Sequence, residues 1–163
     1  MSIVDERAVL KLRTSYRSIV VAVDGTPRSW QVVTAAARLA KDACAALTIV
    51  GAYARNGSAP SALAADLLRG DAYSASPASG MDDVLGDAMA KARSAGAPLV
   101  HRRSVSGTPV DVLLAAAANA GADLIVVGER MFDTPWGRFF GSFPAEVARR
   151  STADVLIING AHA

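Results

Sequence analysis

The feature that most constrains the fold of this chain is a series of five short strand-like segments, most of them apolar, separated by helical segments. The apolar runs are continuous rather than alternating with polar residues, which is typical of strands covered on both faces. The predicted strands are Tyr16–Val23, Leu47–Tyr53, Leu99–Val105, Asp123–Val127 and Asp154–Ile158. Because right-handed crossovers bring such strands side by side in one direction, we expect a three-layer α/β sandwich with one parallel sheet and helices on both faces.

The segments between the runs carry helix periodicity and helix-boundary residues. The turn Asp24-Gly25-Thr26 precedes Pro27, and proline favours the first turn of a helix. The predicted helices are Pro27 to about Ala43, Met81–Ala95, Pro109 to near Gly121, and Pro144–Arg150. The region 54–80 is rich in Ala, Ser, Gly and Pro, and only a short helical piece near Ser61–Arg69 is expected there.

Length and composition favour one soluble domain. A chain of 163 residues can bury a sizeable core, and we expect an N-terminal arm over residues 1–15 and a single domain over 16–160. The net charge is only +2 and the arginines are scattered, so no nucleic-acid partner is expected. The N-terminus lacks the apolar stretch of a signal peptide, and no run reaches the roughly 18 apolar residues of a membrane span.

Cysteine and histidine usage exclude several kinds of site. The single cysteine, Cys44, allows no intramolecular disulfide, which fits a reducing compartment, and we interpret it as a small core residue. Two separate histidines and one cysteine do not make a metal cluster. These observations predict a cytoplasmic protein with no membrane partner and no metal centre of its own.

The stretch Asp123–Phe143 carries the most specific functional signal. Its apolar strand ends at Gly128, and Gly141-Ser142 opens the last helix after a loop, so both ends of the loop can offer backbone N–H groups to an anion. The first strand ends at Asp24. In parallel sheets, ligands bind beyond the carboxyl ends of strands where the strand order reverses. If the first and fourth strands are neighbours, Asp24 and Gly128 face the same crevice, and the pattern predicts a nucleotide site.

These residues resemble the universal stress protein family. The resemblance is carried by Ile19–Thr26, Ala122–Gly128, Gly141-Ser142 and Ala153–Ile158, and it covers about residues 16–159. The nucleotide motif of the family is a glycine, two residues, a second glycine, nine residues, and then Gly-Ser or Gly-Thr. In this chain the spacing is intact from Gly128 to Gly141-Ser142, but Met131 stands where the second glycine would be.

The resemblance implies a Rossmann-like fold with strand order 3-2-1-4-5, a homodimer that pairs the last strands, and an adenine nucleotide between the first and fourth strands. A subset of the family binds cyclic AMP instead of ATP. The segments that look more like this subset are Asp66–Leu68, Asp82–Gly96, Gly107–Asp111 and Gly137–Pro144.

The resemblance also assigns expected roles to individual residues. Ala22 would line the adenine, Val50 would flank the base, and Asp24 would approach the ribose or a metal on the phosphates. Backbone N–H groups and the serine hydroxyl would hold phosphate at Gly128, Gly141, Ser142 and Phe143. Apart from the resemblance, either residue of the loop charge pair Glu129-Arg130 could contact phosphate or ribose.

Several alternatives remain open from the sequence. Asp24 could instead be a helix N-cap, and Ser142 could cap the last helix with or without binding phosphate. Met131 could narrow the space for a β- or γ-phosphate or could pack under the loop, so cyclic AMP is slightly favoured over ATP, with Mg²⁺ expected only if ATP is the ligand. The aromatic loop Phe132–Phe140 could cover a base or form a dimer surface.

No catalytic constellation is visible in the sequence. It lacks a Ser/His/Asp grouping and a lysine in a P-loop pattern, and Asp24 is the one candidate for a base near a γ-phosphate. We therefore expect a nucleotide sensor or reservoir in the stress response rather than an enzyme. The rival hypotheses are a nucleotide-free dimeric interaction module and a weak Mg²⁺-dependent ATPase that uses Asp24.

Overall fold

The computed structural model describes residues 15–54, 77–132 and 142–159. In chain order its elements are β1 Ser18–Val23, α1 Pro27–Ala43, β2 Ala46–Tyr53, α2 Pro77–Ser94, β3 Leu99–Ser106, α3 Pro109–Asn119, β4 Leu124–Gly128, α4 Phe143–Arg150 and β5 Asp154–Ile158. The strands form one parallel sheet in the order β3-β2-β1-β4-β5. The predicted α/β fold and strand order are confirmed.

Most element boundaries lie within two residues of those predicted, and α2 differs most. This helix begins at Pro77 instead of Met81 and includes Ser79 and Gly80, which were interpreted as part of an irregular segment. Serine and glycine have low helix propensity, but packing of α2 on α1 and on the sheet overrides that preference. The predicted helical piece Ser61–Arg69 and nearly all of the N-terminal arm lie outside the described residues, so the division into arm and domain stays a prediction.

The core is built around the two central strands. Every residue of Ile19–Val23 in β1 and Leu124–Val127 in β4 is buried. Helix α1 covers one face of these strands with a row of small apolar side chains, namely Val32, Val33, Ala36, Ala37 and Ala40. Because alanine has only a methyl group, the helix can approach the sheet closely and hold the turn after β1 in place.

The two edge strands differ in chemistry. Strand β3 exposes His101, Arg102 and Arg103, and charged side chains on an edge oppose pairing with another strand. Strand β5 is instead apolar from Val155 to Ile158, and Ile157 is 44% exposed. From Val155 to Ile158 the β5 edge therefore lacks the charged side chains that oppose pairing at β3.

The prediction that Cys44 is a core residue is wrong. Cys44 is exposed and ends α1 in the left-handed conformation, with φ of 52°. Its backbone N–H donates to the carbonyl groups of Ala40 and Lys41 as the chain turns away from the helix. This turn directs the thiol to solvent, while the next residue, Ala45, is buried.

Within the described ranges, no helix combines the length and the apolar character that crossing a membrane requires.

Candidate functional site

The candidate site lies where the strand order reverses between β1 and β4. These strands are parallel neighbours, with Val21 paired to Val126. Asp24 directly follows β1 and Gly128 is the last residue of β4, so both lie at the carboxyl ends of adjacent strands. The inference that these two strands are neighbours is confirmed, and the crevice is the position at which parallel sheets bind ligands.

Asp24 is nearly buried, with 9% of its surface exposed, and both carboxylate oxygens accept hydrogen bonds. Oδ1 accepts from the backbone N–H of Thr26 at 3.0 Å and from the Thr26 hydroxyl at 2.6 Å. Oδ2 accepts from the backbone N–H of Phe132 at 3.5 Å, a long hydrogen bond. Asp24 therefore stabilises the β1–α1 turn through hydrogen bonds to Thr26, and it also contacts Phe132, which follows β4.

The N-cap of α1 is Thr26, and the alternative that Asp24 caps this helix is wrong. The Thr26 side chain accepts a hydrogen bond from the backbone N–H of Ser29 at 3.3 Å. Asp24 lies two residues further from the helix and binds the capping residue instead. The acidic group is therefore placed beside the crevice by the turn itself.

Gly128 and Met131 form a closed turn at the end of β4. The Met131 N–H donates to the Gly128 carbonyl, and the Gly128 N–H donates to the Met131 sulfur, both at 3.3 Å. Met131 is 4% exposed, and a Cβ added to Gly128 would lie 3.0 Å from a methyl group of Val32. Met131 is therefore packed against Gly128 in this turn, and its effect on the space for a β- or γ-phosphate stays a prediction. Its sulfur also binds the amide that was predicted to hold phosphate.

Two aromatic rings join the loop after β4 to the start of α4. The ring centroids of Phe132 and Phe143 are 4.7 Å apart, with the planes inclined at 60°. Phe132 has φ of 54°, a left-handed conformation that costs energy for a bulky residue. The sequence does not indicate this feature, because Phe132 is there only one residue of an aromatic loop. Phe132 therefore contacts both Asp24, through its backbone, and the first residue of α4, through its ring.

Ser142 is the N-cap of α4. Its side-chain oxygen accepts from the backbone N–H of Ala145 at 3.3 Å, which confirms the capping interpretation. Ser142 is exposed, and because Pro144 lacks an N–H and the Glu146 N–H donates to the Ser142 carbonyl, the Phe143 N–H is the donor of the first turn that an anion could bind. The capping role is therefore compatible with the predicted contact to phosphate.

The predicted base-flanking residues are paired but buried. Ala22 and Val50 are partners across β1 and β2, and each is 3% exposed. Next to Val50, the sulfur of Met81 occupies the position that a Cβ on Gly51 would take. Met81 from α2 therefore covers the carboxyl end of β2. The sequence marked Met81 only as the start of a helix, because the approach of α2 to Gly51 is a tertiary contact.

Of the remaining predicted site residues, Arg130 lies within the described part of the chain and Gly141 does not. Arg130 and Glu129 are exposed, and the backbone N–H of Glu129 donates to Ile158 at 2.9 Å, which ties the end of β4 to β5. Gly141 lies outside the described residues, as does the loop from 133 to 140. The described part of the chain has no group of three His, Cys, Asp or Glu side chains arranged for a metal.

Sequence comparison links this geometry to known proteins. The model of the universal stress protein family matches residues 15–159. Universal stress protein Rv1636 from Mycobacterium tuberculosis H37Rv is 39% identical over 146 residues, which cover 90% of this chain and 98% of that protein.

Solved structures show the same relationship. A universal stress protein in complex with cAMP is 34% identical and has a TM-score of 0.71. The match covers 91% of this chain and 100% of that one. The crystal structure of Rv1636 is 35% identical with a TM-score of 0.57, and the match covers 92% of this chain and 98% of that one. A more distant protein from Archaeoglobus fulgidus, solved in complex with dAMP, shares the fold at 23% identity, a TM-score of 0.63, and coverage of 88% and 98%.

Proposed function

The chain belongs to the universal stress protein family, and from this premise we propose that it binds an adenine nucleotide in the crevice between β1 and β4. Cyclic AMP is the favoured ligand over ATP, and Mg²⁺ accompanies the nucleotide only if the ligand is ATP. The protein acts as a sensor or reservoir in the stress response and not as a catalyst. The single cysteine is consistent with a cytoplasmic location.

The observation that carries the proposal is the position of Asp24 and Gly128 at the reversal of strand order. Beside them lie the paired Ala22 and Val50, each 3% exposed, which we propose flank the base, and the Phe143 N–H and Ser142 hydroxyl at the start of α4, which we propose bind a phosphate. The preference for cyclic AMP is supported by the relative solved in complex with cAMP, whose whole length matches 91% of this chain.

The proposal includes a homodimer formed through β5. This strand is an edge of the sheet, and an unpaired edge presents N–H and C=O groups that can pair with another strand. Its apolar residues, including the exposed Ile157, favour burial against a second copy. The same contact would also fix the end of β4, because Glu129 is hydrogen-bonded to β5.

A second candidate function is a nucleotide-free interaction module. The specific observation in its favour is that Asp24 and the Gly128 amide, two groups expected to bind ligand, already have hydrogen-bond partners within the protein. In that case the crevice would be closed, and the dimer would present its surface to a protein partner.

Isothermal titration calorimetry with cyclic AMP and with Mg-ATP, run side by side, distinguishes the two candidates. We expect saturable binding of cyclic AMP at one site per chain, and weaker binding of Mg-ATP. A folded dimer that binds neither nucleotide would contradict nucleotide binding and favour the interaction module. Tighter binding of ATP than of cyclic AMP would reject the ligand preference but retain the adenine-nucleotide site.

A further inference from the structure

Resting on the proposed nucleotide function, we infer that Met131 is a specificity-determining residue that acts through its sulfur atom. The thioether accepts the Gly128 amide hydrogen and so removes from the crevice a donor that a polyphosphate would need. The site then takes a nucleotide with a single phosphoryl group, cyclic or open, in preference to a di- or triphosphate.

The hydrogen bonds of this turn are made within the protein. The Gly128 N–H donates to Met131 Sδ, and the Met131 N–H donates to the Gly128 carbonyl. The Met131 side chain is almost wholly buried, and its Cγ lies against Gly128. A phosphate oxygen that accepts a hydrogen bond from the Gly128 amide must first displace the buried Met131 side chain.

The two ends of the loop therefore differ in what they can offer. At α4, Pro144 has no N–H and the N–H groups of Ala145 and Glu146 donate to Ser142, so the Phe143 N–H and the Ser142 hydroxyl are the groups of the first turn that can bind one phosphoryl group. At β4, the amide of Gly128 is occupied. A ligand with further phosphoryl groups must also bind at the β4 end. Only such a ligand has to displace the Met131 side chain.

Two substitutions separate the effect of the sulfur from the effect of bulk. Met131→Leu keeps an apolar side chain of similar volume but removes the acceptor, because a thioether sulfur accepts a weak hydrogen bond and a methyl group does not. Met131→Gly removes both the acceptor and the bulk. Met89→Leu, on α2 and away from the crevice, is the matched control for a Met-to-Leu change.

The test combines calorimetry with ATP and cyclic AMP and hydrogen exchange of the Gly128 amide, measured by NMR in the ligand-free protein. We expect Met131→Leu and Met131→Gly to raise ATP affinity about tenfold and to leave cyclic AMP affinity within about threefold, since one hydrogen bond is at stake. The Gly128 amide should exchange faster in both variants, and Met89→Leu should match the wild type.

The outcomes are distinguishable from failure of the proposed function. Wild-type binding of cyclic AMP, with ATP affinity unchanged in both Met131 variants, overturns the inference and leaves nucleotide binding standing. A gain in ATP affinity confined to Met131→Gly also overturns it, because bulk alone would then be the barrier. ATP binding that appears only in the two variants supports the inference while rejecting nucleotide binding by the native protein. Absence of binding in all the proteins rejects both.

Discussion

The carboxylate of Asp24 and the hydroxyl of Thr26 are joined by a 2.6 Å hydrogen bond across the turn between β1 and α1. The same Thr26 oxygen accepts from the N–H of Ser29 and caps the helix. Asp24 therefore orients the capping residue of the helix that covers the central strands. Any contact of Asp24 with a ligand is made by a side chain that already stabilises the turn.

Asp24→Ala is expected to lower the free energy of unfolding by about 1–3 kcal/mol, because the Thr26 amide and hydroxyl lose their acceptor in a nearly buried position. Urea denaturation measures the loss, and Asp42→Ala, an exposed position on α1, is the matched control. If Asp24 also contacts the nucleotide, cyclic AMP affinity falls in the same variant. Any ATPase activity that persisted unchanged in Asp24→Ala would exclude this residue as a base.

Thr26→Ala distinguishes the contribution of Asp24 and Thr26 to the stability of the turn from any contact of Asp24 with the ligand. The substitution removes the helix cap and should cost about 1 kcal/mol of unfolding free energy, while the Asp24 carboxylate stays in place. Cyclic AMP binding should therefore change little, as measured by calorimetry. Equal losses of affinity in Thr26→Ala and Asp24→Ala would indicate that Asp24 acts only by holding the turn.

Ile157→Lys is expected to convert the proposed dimer into monomers. A charge on the exposed apolar edge of β5 must be desolvated if that edge is buried against a second copy. Light scattering coupled to size-exclusion chromatography at micromolar concentration measures the mass. Leu99→Lys is the control, because Leu99 is 53% exposed on β3, the opposite edge strand. A monomeric wild type, or dissociation by Leu99→Lys instead, would refute pairing through β5.

Two glycine-to-alanine substitutions should have opposite effects on stability. At Gly51 the new Cβ would occupy the position of the Met81 sulfur, and forcing this buried side chain to move should cost about 1–3 kcal/mol. At Gly86, in α2, the nearest atom to the new Cβ is an Arg102 nitrogen at 3.5 Å, an ordinary contact. Alanine there should stabilise the protein by about 0.5–1 kcal/mol through helix propensity. Thermal and urea unfolding compare the two variants, and a stabilising Gly51→Ala would contradict the close packing of α2 on β2.

The Asp111 carboxylate should make the link between α3 and α4 sensitive to acid. The Thr108 hydroxyl and the Arg150 guanidinium donate to its two oxygens at 2.6 and 2.9 Å. The Thr108 hydrogen bond, followed by that of Arg150, lowers the pKa of Asp111 below its ordinary value. Because the pKa is lower in the folded state, the stabilisation is present above the ordinary aspartate pKa and is lost as the pH falls through the lowered pKa.

Carboxyl NMR titration of Asp111 tests this effect. Thr108→Val should raise the pKa of Asp111 more than Arg150→Gln does, because the hydroxyl is the larger cause. Arg149→Gln is the control, since Arg149 pairs with Glu146 and not with Asp111. If the pKa of Asp111 is the same in all three variants, neither contact persists in solution.

The fold was predictable from the sequence because continuous apolar runs such as Ile19–Val23 and Leu124–Val127 are typical of strands whose side chains are buried on both faces of a sheet. The local role of Ser142 was predictable for a similar reason, since an N-cap depends on residues within one turn. Cys44 was misjudged because its exposure depends on how the chain leaves α1. No pattern of neighbouring residues encodes that direction.

The sequence by itself determined the element order and the spacing from Gly128 to Gly141-Ser142, because these depend on local periodicity and on the identity of each residue. Only the tertiary structure decided which groups of the crevice are already occupied. The Asp24 carboxylate meets the Phe132 amide, from a distant part of the chain, only after β1 and β4 have paired. The Met131 sulfur reaches the Gly128 amide only in the turn that packs on α1. Hydrogen-bond partners and burial depend on three-dimensional packing, so they cannot be read from spacing along the chain.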